Sequence, residues 1–393
     1  MKTGSGLLIN LISSKLILTL HTNLIRYPMA LQCGIIGITN VGKTTIFNCI
    51  SNSKGETTAF AFSATKSNIG IVQVPDRRLY ELEKHQVTEK IVPTTVEIVD
   101  IPGLARGSNK GEGVGNKFLG DIRNTDALIH VLRCFDKELL PHIDGSVNPV
   151  RDLETIDLEL QVKDLESVEK KIERLQRAAK AGDKDAIHGL DVLNLCRDHI
   201  EGFNNASTLA IRDEDRRYLD DLFLLTMKPV MYVCNVDEKS AVNGNHYVDK
   251  VREFLIGRNA EILIIAGAIE AEIADLENID DRLAFLKDAG LEEPGVDKLV
   301  RAAYKLLNLQ TFFTVGPKEI RAWTIRKGMT APQAAGVIHS DLERGFIRAE
   351  VMKYNDFITL GSEHACKEAG KFYIEGKNYV VGDGDILHIR FNV

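Results

Sequence analysis

The chain has 393 residues, of which 44% are hydrophobic and 27% charged, as in ordinary soluble proteins with a sizeable core. Its formal net charge of −7 excludes a general electrostatic affinity for nucleic acid, although a local basic patch remains compatible with it. The six cysteines form no CxxC pair, which favours a reduced protein of the cytoplasm.

Residues 1–28 differ from the rest of the chain. They contain two short apolar runs split by Lys15 and no acidic residue. The segment is too short and too polar for a membrane span, and no clean signal-peptidase site follows it. We therefore expect an extension outside the fold, no membrane association, and a folded domain that begins at Met29.

The next segment carries the strongest motif of the chain. Gly37 to Thr44 fits G-x-x-x-x-G-K-[ST] and lies between a strand-like run, 33–38, and a helix-like run, 45–50. This context predicts a P-loop, whose backbone N–H groups cradle phosphates. Lys43 is expected to reach the β- and γ-phosphates and to assist catalysis, and Thr44 to bind Mg²⁺. The predicted nucleotide-binding residues of the loop are Asn40, Val41, Gly42, Lys43, Thr44 and Thr45.

The order of elements predicts an α/β fold with a doubly wound parallel sheet. Short, nearly all-apolar strands recur at 94–100, 127–132, 230–234 and 261–266, with helical segments between them. Such a sheet binds its ligand at the carboxyl ends of the strands. Between 151 and 226 a heptad-like stripe (Leu158, Leu165, Val168, Ile172, Leu175, Ala179) predicts an inserted helical hairpin. From 309 to 393, short strands around one helix predict a separate β-grasp-like domain.

A second nucleotide-site motif follows the strand at 94–100. Asp100 to Gly103 fits DxxG, in which the aspartate serves the Mg²⁺ ion and the glycine N–H meets the γ-phosphate. Leu104 occupies the position at which Ras-like GTPases carry the glutamine that orients the attacking water. Because an apolar side chain cannot orient water, hydrolysis requires another group. The glycine-rich run from Gly107 to Gly115 suits a mobile switch or a plain flexible loop.

A third motif, expected to read the base, follows the strand at 230–234. Guanine-specific proteins have N-K-x-D here, whereas this chain has Asn235-Val236-Asp237-Glu238. The longer carboxylate of Glu238 is misplaced for the edge of guanine, and misplaced polar partners are strongly penalised. Asn235 could instead serve the N6/N7 edge of adenine. We therefore predict that Asn235, Val236 and Glu238 bind the base and that ATP is preferred to GTP.

Taken together, these motifs resemble the YchF or Obg-like ATPase family from Met29 to Val393. Further runs carry the resemblance: Lys110 to Phe118, Arg133-Cys134-Phe135, Leu306 to Thr311, Arg321 to Ile325, Ala331 to Gly336, and Gly345 to Ala349. The resemblance implies an ATPase domain over 29–308, a coiled-coil hairpin inserted at 151–226, and a TGS domain of ubiquitin-like form over 309–393. It also implies a link to ribosomes, translation and stress responses.

The resemblance also assigns roles to single residues. His142 matches the position of the histidine that orients water in the family, in place of the missing glutamine. In the first switch, the Mg²⁺-binding threonine of the family falls on Ala64. Thr65 could substitute as a metal ligand if the loop shifts by one residue, and Ser63 is another hydroxyl. This departure puts the rate of hydrolysis, more than nucleotide binding, in question.

Three functions remain open from the sequence. The first is a slow Mg²⁺-dependent ATPase acting as a cytoplasmic switch in translation, as a monomer or weak oligomer. The second is a nucleotide-gated module that binds ribosomes or RNA with little hydrolysis. The third, disfavoured by Val236 and Glu238, is a guanine-nucleotide switch.

Overall fold

The computed structural model describes residues 31–52, 68–102, 114–258 and 260–392. The expectations for residues 1–28, Thr65, Gly103 and Leu104 lie outside the described residues. None of the helices in the described ranges combines the length and the apolar character that crossing a membrane requires.

The first sheet has six strands in the order β2-β4-β1-β5-β6-β7. Only β2 runs antiparallel to its neighbour, and the other pairs are parallel. The central strand β5 is buried along its entire length, which its apolar residues predict and which includes two polar side chains, His130 and Arg133. The strands are β1 (Gln32–Ile36), β2 (Asn68–Gln73), β4 (Thr95–Asp100), β5 (Ala127–Cys134), β6 (Val230–Val236) and β7 (Glu261–Ile265).

The helices around this sheet include α1, which follows the P-loop, and a long pair, α4 and α5. The helices described before residue 309 are α1 (Lys43–Asn52), α2 (Arg77–His85), α3 (Val114–Asn124), α4 (Pro149–Lys180), α5 (Lys184–Glu201), α6 (Arg217–Asp220), α7 (His246–Phe254), α8 (Gly267–Asp275), α9 (Ile279–Asp288) and α10 (Gly295–Leu306).

The hairpin of α4 and α5 turns at residues 181–183. Asp183 caps α5 by accepting hydrogen bonds from the N–H groups of Asp185 and Ala186, at 2.9 and 3.2 Å. Val168 and Ile172 of α4 pack in one apolar cluster with residues of α5. Leu158, which the heptad-like stripe placed among the packed residues, is instead 45% exposed. At this end of α4, Ile156 and Leu160 take the buried positions and pack in the apolar core of the first sheet.

The second sheet has the order β11-β10-β12-β8-β9-β3. Its strands are β3 (Ile91–Val92), β8 (Leu309–Val315), β9 (Ile320–Arg326), β10 (Phe346–Lys353), β11 (Phe372–Glu375) and β12 (Asp385–Phe391), and its helices are α11 (Ala331–Ile338), α12 (Ser340–Arg344), α13 (Tyr354–Leu360) and α14 (Glu363–Glu368). Helices α11 and α12 pack on one face, and α13 and α14 pack on the other.

The second sheet is not built from its own part of the chain alone. Strand β3, far earlier in the sequence, pairs with β9 at the sheet edge. From α2, Leu79 and Leu82 are buried in the same apolar cluster as Phe313 of β8. Arg78 donates to the carboxylate of Asp383 at 2.8 Å. The segment that connects β2 to β4 therefore completes the second sheet and covers part of one face, which the expectation of a separate module did not foresee.

Candidate functional site

The loop between β1 and α1 curls through three left-handed positions. Gly37, Asn40 and Gly42 have φ values of 147°, 62° and 95°. A Cβ atom on Gly37 would lie 2.6 Å from the Val131 carbonyl oxygen, and one on Gly42 would lie 2.2 Å from the side chain of Asn235. Both positions therefore require glycine. The sequence between them forms the backbone cradle that the P-loop motif predicts.

A cavity of about 800 Å³ opens beside this loop. It lies where β5, β6 and β7 end, as expected for a doubly wound sheet. Its lining consists of Asn40, Gly42, Lys43, Thr44, Thr45, Phe135, Asp136, Lys137, Leu140, Asn235, Val236, Asp237, Glu238, Lys239, Gly267 and Ala268. Of the P-loop residues that were predicted to bind nucleotide, all but Val41 line the cavity. The side chain of Val41 is instead buried in the core.

Lys43 is held inside the loop. Its Nζ donates to the carbonyl oxygens of Gly37 and Ile38 at 3.1 and 2.7 Å, and the residue is only 7% exposed. Burial lowers the pKa of Lys43 to about 8, and the nearby Asp100 carboxylate opposes this shift. A polyphosphate would offer the ammonium group a better partner than two neutral carbonyls.

The side-chain oxygens of Thr44 and Asp100 lie next to each other, as the ligands of a cation do. The Thr44 hydroxyl donates to Oδ2 of Asp100 at 3.0 Å, while Oδ1 of Asp100 is buried and has no hydrogen-bond partner among the described residues. Burial raises the pKa of Asp100, whereas the Thr44 hydroxyl and the charge of Lys43 lower it. Hard cations such as Mg²⁺ prefer oxygen ligands, and a buried carboxylate oxygen without a partner is costly. These residues therefore fit a Mg²⁺ ion.

Asn235 has a different principal role from the one that the sequence suggested. It is 5% exposed, its Nδ2 donates to the Val41 carbonyl at 2.8 Å, and its Oδ1 accepts from the Gly267 N–H at 3.0 Å. Both ends of the amide thus hold a backbone group, while Nδ2 keeps a second N–H and the residue lines the cavity, so contact of Asn235 with the edge of adenine stays a prediction. Asn235 ties the P-loop to the start of α8.

The residues after Asn235 form one rim of the cavity. Val236 is 3% exposed and packs in the apolar core beneath the rim. Asp237 accepts from the Ser240 N–H at 3.0 Å and so caps the turn that begins at Glu238. Glu238 itself is exposed at the rim, where its carboxylate is accessible to a ligand. Lys239, beside it, also lines the cavity and was not singled out from the sequence.

A second wall of the cavity was not predicted from the sequence either. It is formed by Phe135, Asp136, Lys137 and Leu140, which follow β5 without regular structure. The rule that ligands bind at the carboxyl ends of parallel strands could have indicated these residues, together with Gly267 and Ala268 after β7.

His142 does not line the cavity. Its side chain is 2% exposed, and its Nε2 donates to Oδ2 of Asp152 at 2.9 Å. Its Nδ1 accepts from the Asp144 N–H at 3.1 Å. Because both ring nitrogens have protein partners, the imidazole in this arrangement has no nitrogen left to orient water. The expected catalytic placement of His142 is therefore not found, and a catalytic role requires the loop to rearrange.

Comparison with known proteins places the chain in a family. The model "YchF-GTPase_C", described as a protein of unknown function (DUF933), matches residues 309–392, and the model of the 50S ribosome-binding GTPase matches residues 32–180. The chain is 47% identical over 367 residues to the ribosome-binding ATPase YchF of Bacillus subtilis, covering 93% of this chain and 100% of the relative. The chain belongs to the YchF family.

Other YchF proteins agree with this assignment. The ribosome-binding ATPase YchF of Escherichia coli O157:H7 is 46% identical over 365 residues, with 93% of this chain and 100% of the relative covered. The solved structure of the Schizosaccharomyces pombe YchF GTPase superposes with a TM-score of 0.82 at 33% identity, covering 92% of this chain and 98% of that chain. The predicted fold class, a P-loop α/β domain with a helical hairpin and a carboxyl-terminal β-grasp unit, is thereby confirmed.

Proposed function

We propose that the chain is a Mg²⁺-dependent ATPase of low turnover that binds MgATP in the cavity beside the P-loop and acts as a switch on the ribosome. One observation carries the nucleotide site: Oδ1 of Asp100 is buried next to the Thr44 hydroxyl and has no hydrogen-bond partner in the part of the chain that the structure describes. Asp100 and Thr44 would hold a Mg²⁺ ion, which would offset the negative charge of phosphates held by Lys43.

ATP is the proposed nucleotide because the rim lacks the residues that read guanine. Val236 is apolar and buried, and Glu238 brings its carboxylate one methylene beyond the position of an aspartate. The YchF relatives from Bacillus subtilis and Escherichia coli are named ATPases, which supports ATP as the nucleotide. Titration calorimetry tests it: ATP should bind at least about tenfold more tightly than GTP, a difference of about 1.4 kcal/mol. Equal or tighter binding of GTP would favour the guanine-nucleotide switch.

The ribosome is proposed as the partner from the names of the relatives, which are ribosome-binding ATPases. A ribosome-associated switch acts in the cytoplasm, and ribosome binding is expected to change the rate of phosphate release. Release of phosphate from ATP should be measured with and without purified ribosomes, together with cosedimentation in each nucleotide state. A protein that does not bind ribosomes, and whose rate of phosphate release is the same with and without them, would contradict the proposal.

A nucleotide-gated binding module with little hydrolysis is the second candidate. It is favoured by the buried His142–Asp152 pair, which leaves His142 no free ring nitrogen to act as a base in the described arrangement. If His142 leaves Asp152 to orient water, His142→Ala should lower kcat by about a hundredfold with ATP binding retained. His188→Ala is the matched control, since it removes another histidine paired with an aspartate, Asp215, at 2.6 Å. If neither variant changes turnover, His142 has no catalytic role.

We also propose the domain organisation given by the sequence. A nucleotide-binding domain over 29–308 carries the hairpin at 151–226, and a TGS domain occupies 309–393. Apart from β3, the strands of the second sheet begin with β8 at Leu309, which supports the boundary. The contacts of Arg78 with Asp383 indicate that the two parts depend on each other for stability.

A further inference from the structure

The wall of Phe135, Asp136, Lys137 and Leu140 has no regular structure, yet it forms one side of the nucleotide cavity. An irregular loop binds a ligand well only if other groups hold it in place, because ordering it during binding costs free energy. The groups that hold this wall lie behind it, on β5 and α7, and none of them lines the cavity.

Arg133 is the main one of these groups. It is 2% exposed, its Nε donates to the Phe135 carbonyl at 3.1 Å, and its Nη2 donates to the Leu140 carbonyl at 2.8 Å. Its guanidinium also lies 4.8 Å from the centre of the Phe135 ring. One side chain thus fixes both ends of the wall and the aromatic ring at one of these ends. A lysine cannot do this, because it lacks the planar fork of donors.

The burial of Arg133 is costly, which argues that its position matters. Its Nη1 is buried and has no hydrogen-bond partner among the described residues, and burial lowers the pKa of the guanidinium. An apolar side chain of similar length would avoid this cost.

Two side chains at the start of α7 hold the same wall. Asn245 donates to the Cys134 carbonyl at 2.8 Å, and the Tyr247 hydroxyl donates to the carboxylate of Asp136 at 2.8 Å. Asn245 also caps α7 by accepting from the Tyr247 N–H at 3.0 Å. Helix α7 and strand β5 therefore clamp the wall together.

We propose that Arg133 is a positioning residue of the nucleotide site, which holds the wall against the nucleoside end of the ligand and so controls nucleotide affinity. The inference rests on the proposed binding of nucleotide in this cavity. Since the P-loop holds the phosphates, the rest of the cavity lining, which includes the wall, is left to contact base and ribose. Displacing the wall should weaken nucleoside contacts and leave phosphate contacts unchanged.

A comparison of two ligands, one with and one without a nucleoside, tests whether the wall contacts only the nucleoside part of the ligand. The affinities of Arg133→Met and Arg133→Lys for MgATP and for magnesium tripolyphosphate, which has no nucleoside, should be measured. Arg133→Met should bind MgATP about tenfold more weakly, with an intermediate loss for Arg133→Lys, because two charge-assisted hydrogen bonds are removed. Tripolyphosphate affinity should stay within about twofold, and kcat at saturating ATP should change little.

Arg258→Met is the matched control. Arg258 also stacks on a phenylalanine, with its guanidinium carbon 4.3 Å from the ring centre of Phe254, but it does not line the nucleotide cavity. This variant should bind both ligands as the wild type does. An Arg133→Met protein that loses affinity for both ligands equally, or for neither, would overturn the inference.

Two further variants remove the remaining ambiguity. If Arg133→Met does not fold, Tyr247→Phe, which removes only the hydroxyl bonded to Asp136, must show the same selective loss for MgATP, and its absence overturns the inference. Lys43→Ala should lose affinity for both ligands. If Lys43→Ala binds both normally, the proposed nucleotide site itself is wrong, a result that is distinct from a failure of the Arg133 variants alone.

Discussion

Replacing Asn235 with alanine tests whether this residue ties loops together or reads the base. The change removes the donor to the Val41 carbonyl and the acceptor for the Gly267 N–H, both of which lie in the interior. A buried backbone group that loses its partner costs about 1 to 3 kcal/mol, so the variant should lose about 2 to 6 kcal/mol of unfolding free energy. Because the P-loop then loses its anchor, ATP and GTP should both bind more weakly, by a similar factor.

The assay combines urea unfolding with calorimetric titration of both nucleotides. Asn205→Ala is the control, since Asn205 also bridges two partners, accepting from Gln161 at 2.7 Å and donating to Asp157 at 3.2 Å, on residues outside the nucleotide cavity. That variant should lose stability and keep its affinities. The reasoning is refuted if Asn235→Ala keeps its unfolding free energy and loses ATP binding alone, since Asn235 would then act as the base reader.

The remaining predictions concern the proposed metal ligand Asp100, the buried carboxylate of Asp157 and the P-loop residue Gly42. Asp100→Asn should abolish the Mg²⁺-dependent part of ATP affinity, with binding in excess EDTA unchanged; equal Mg²⁺ dependence in both proteins would exclude Asp100 as a ligand. Burial raises the pKa of Asp157 from 3.8 to about 6, so that Asp157 loses its proton at lower pH in the unfolded state than in the folded state. The free energy of unfolding should therefore fall by about 3 kcal/mol as the pH rises from about 4 to 6. Asp157→Asn should therefore stabilise the protein at pH 7.5 and leave it unchanged at pH 3.5, as urea unfolding at both values would show. Gly42→Ala should greatly weaken nucleotide binding, because its Cβ would lie 2.2 Å from Asn235 at a φ of 95°; normal calorimetric affinity would contradict this.

Local sequence was sufficient for the elements that position the P-loop. Apolar runs indicated the buried strands, since a parallel sheet covered on both faces demands apolar residues throughout. The pairing of β3 with β9 could not be predicted in this way. Two residues, Ile91 and Val92, carry no periodic signal, and their partner strand lies more than two hundred residues further along the chain.

In the site, the sequence indicated residues whose chemistry is set by the motif, such as Lys43, Thr44 and Asp100. It did not indicate how other side chains are used. Asn235 was assigned to the base because its amide suits adenine, and its contacts with two backbone groups that need partners could not be predicted from the motif. The partner of His142, Asp152, depends on where α4 begins relative to the loop, which no local pattern specifies.

The most direct test of the nucleotide site is a crystal structure with Mg²⁺ and a nonhydrolysable ATP analogue. We expect Lys43 Nζ to lie within about 3 Å of the terminal phosphate oxygens, and the metal ion to contact the Thr44 hydroxyl beside Asp100. The base should lie against Phe135 and the rim at Glu238. An analogue bound elsewhere, with Lys43 still donating to the Gly37 and Ile38 carbonyls, would contradict the account.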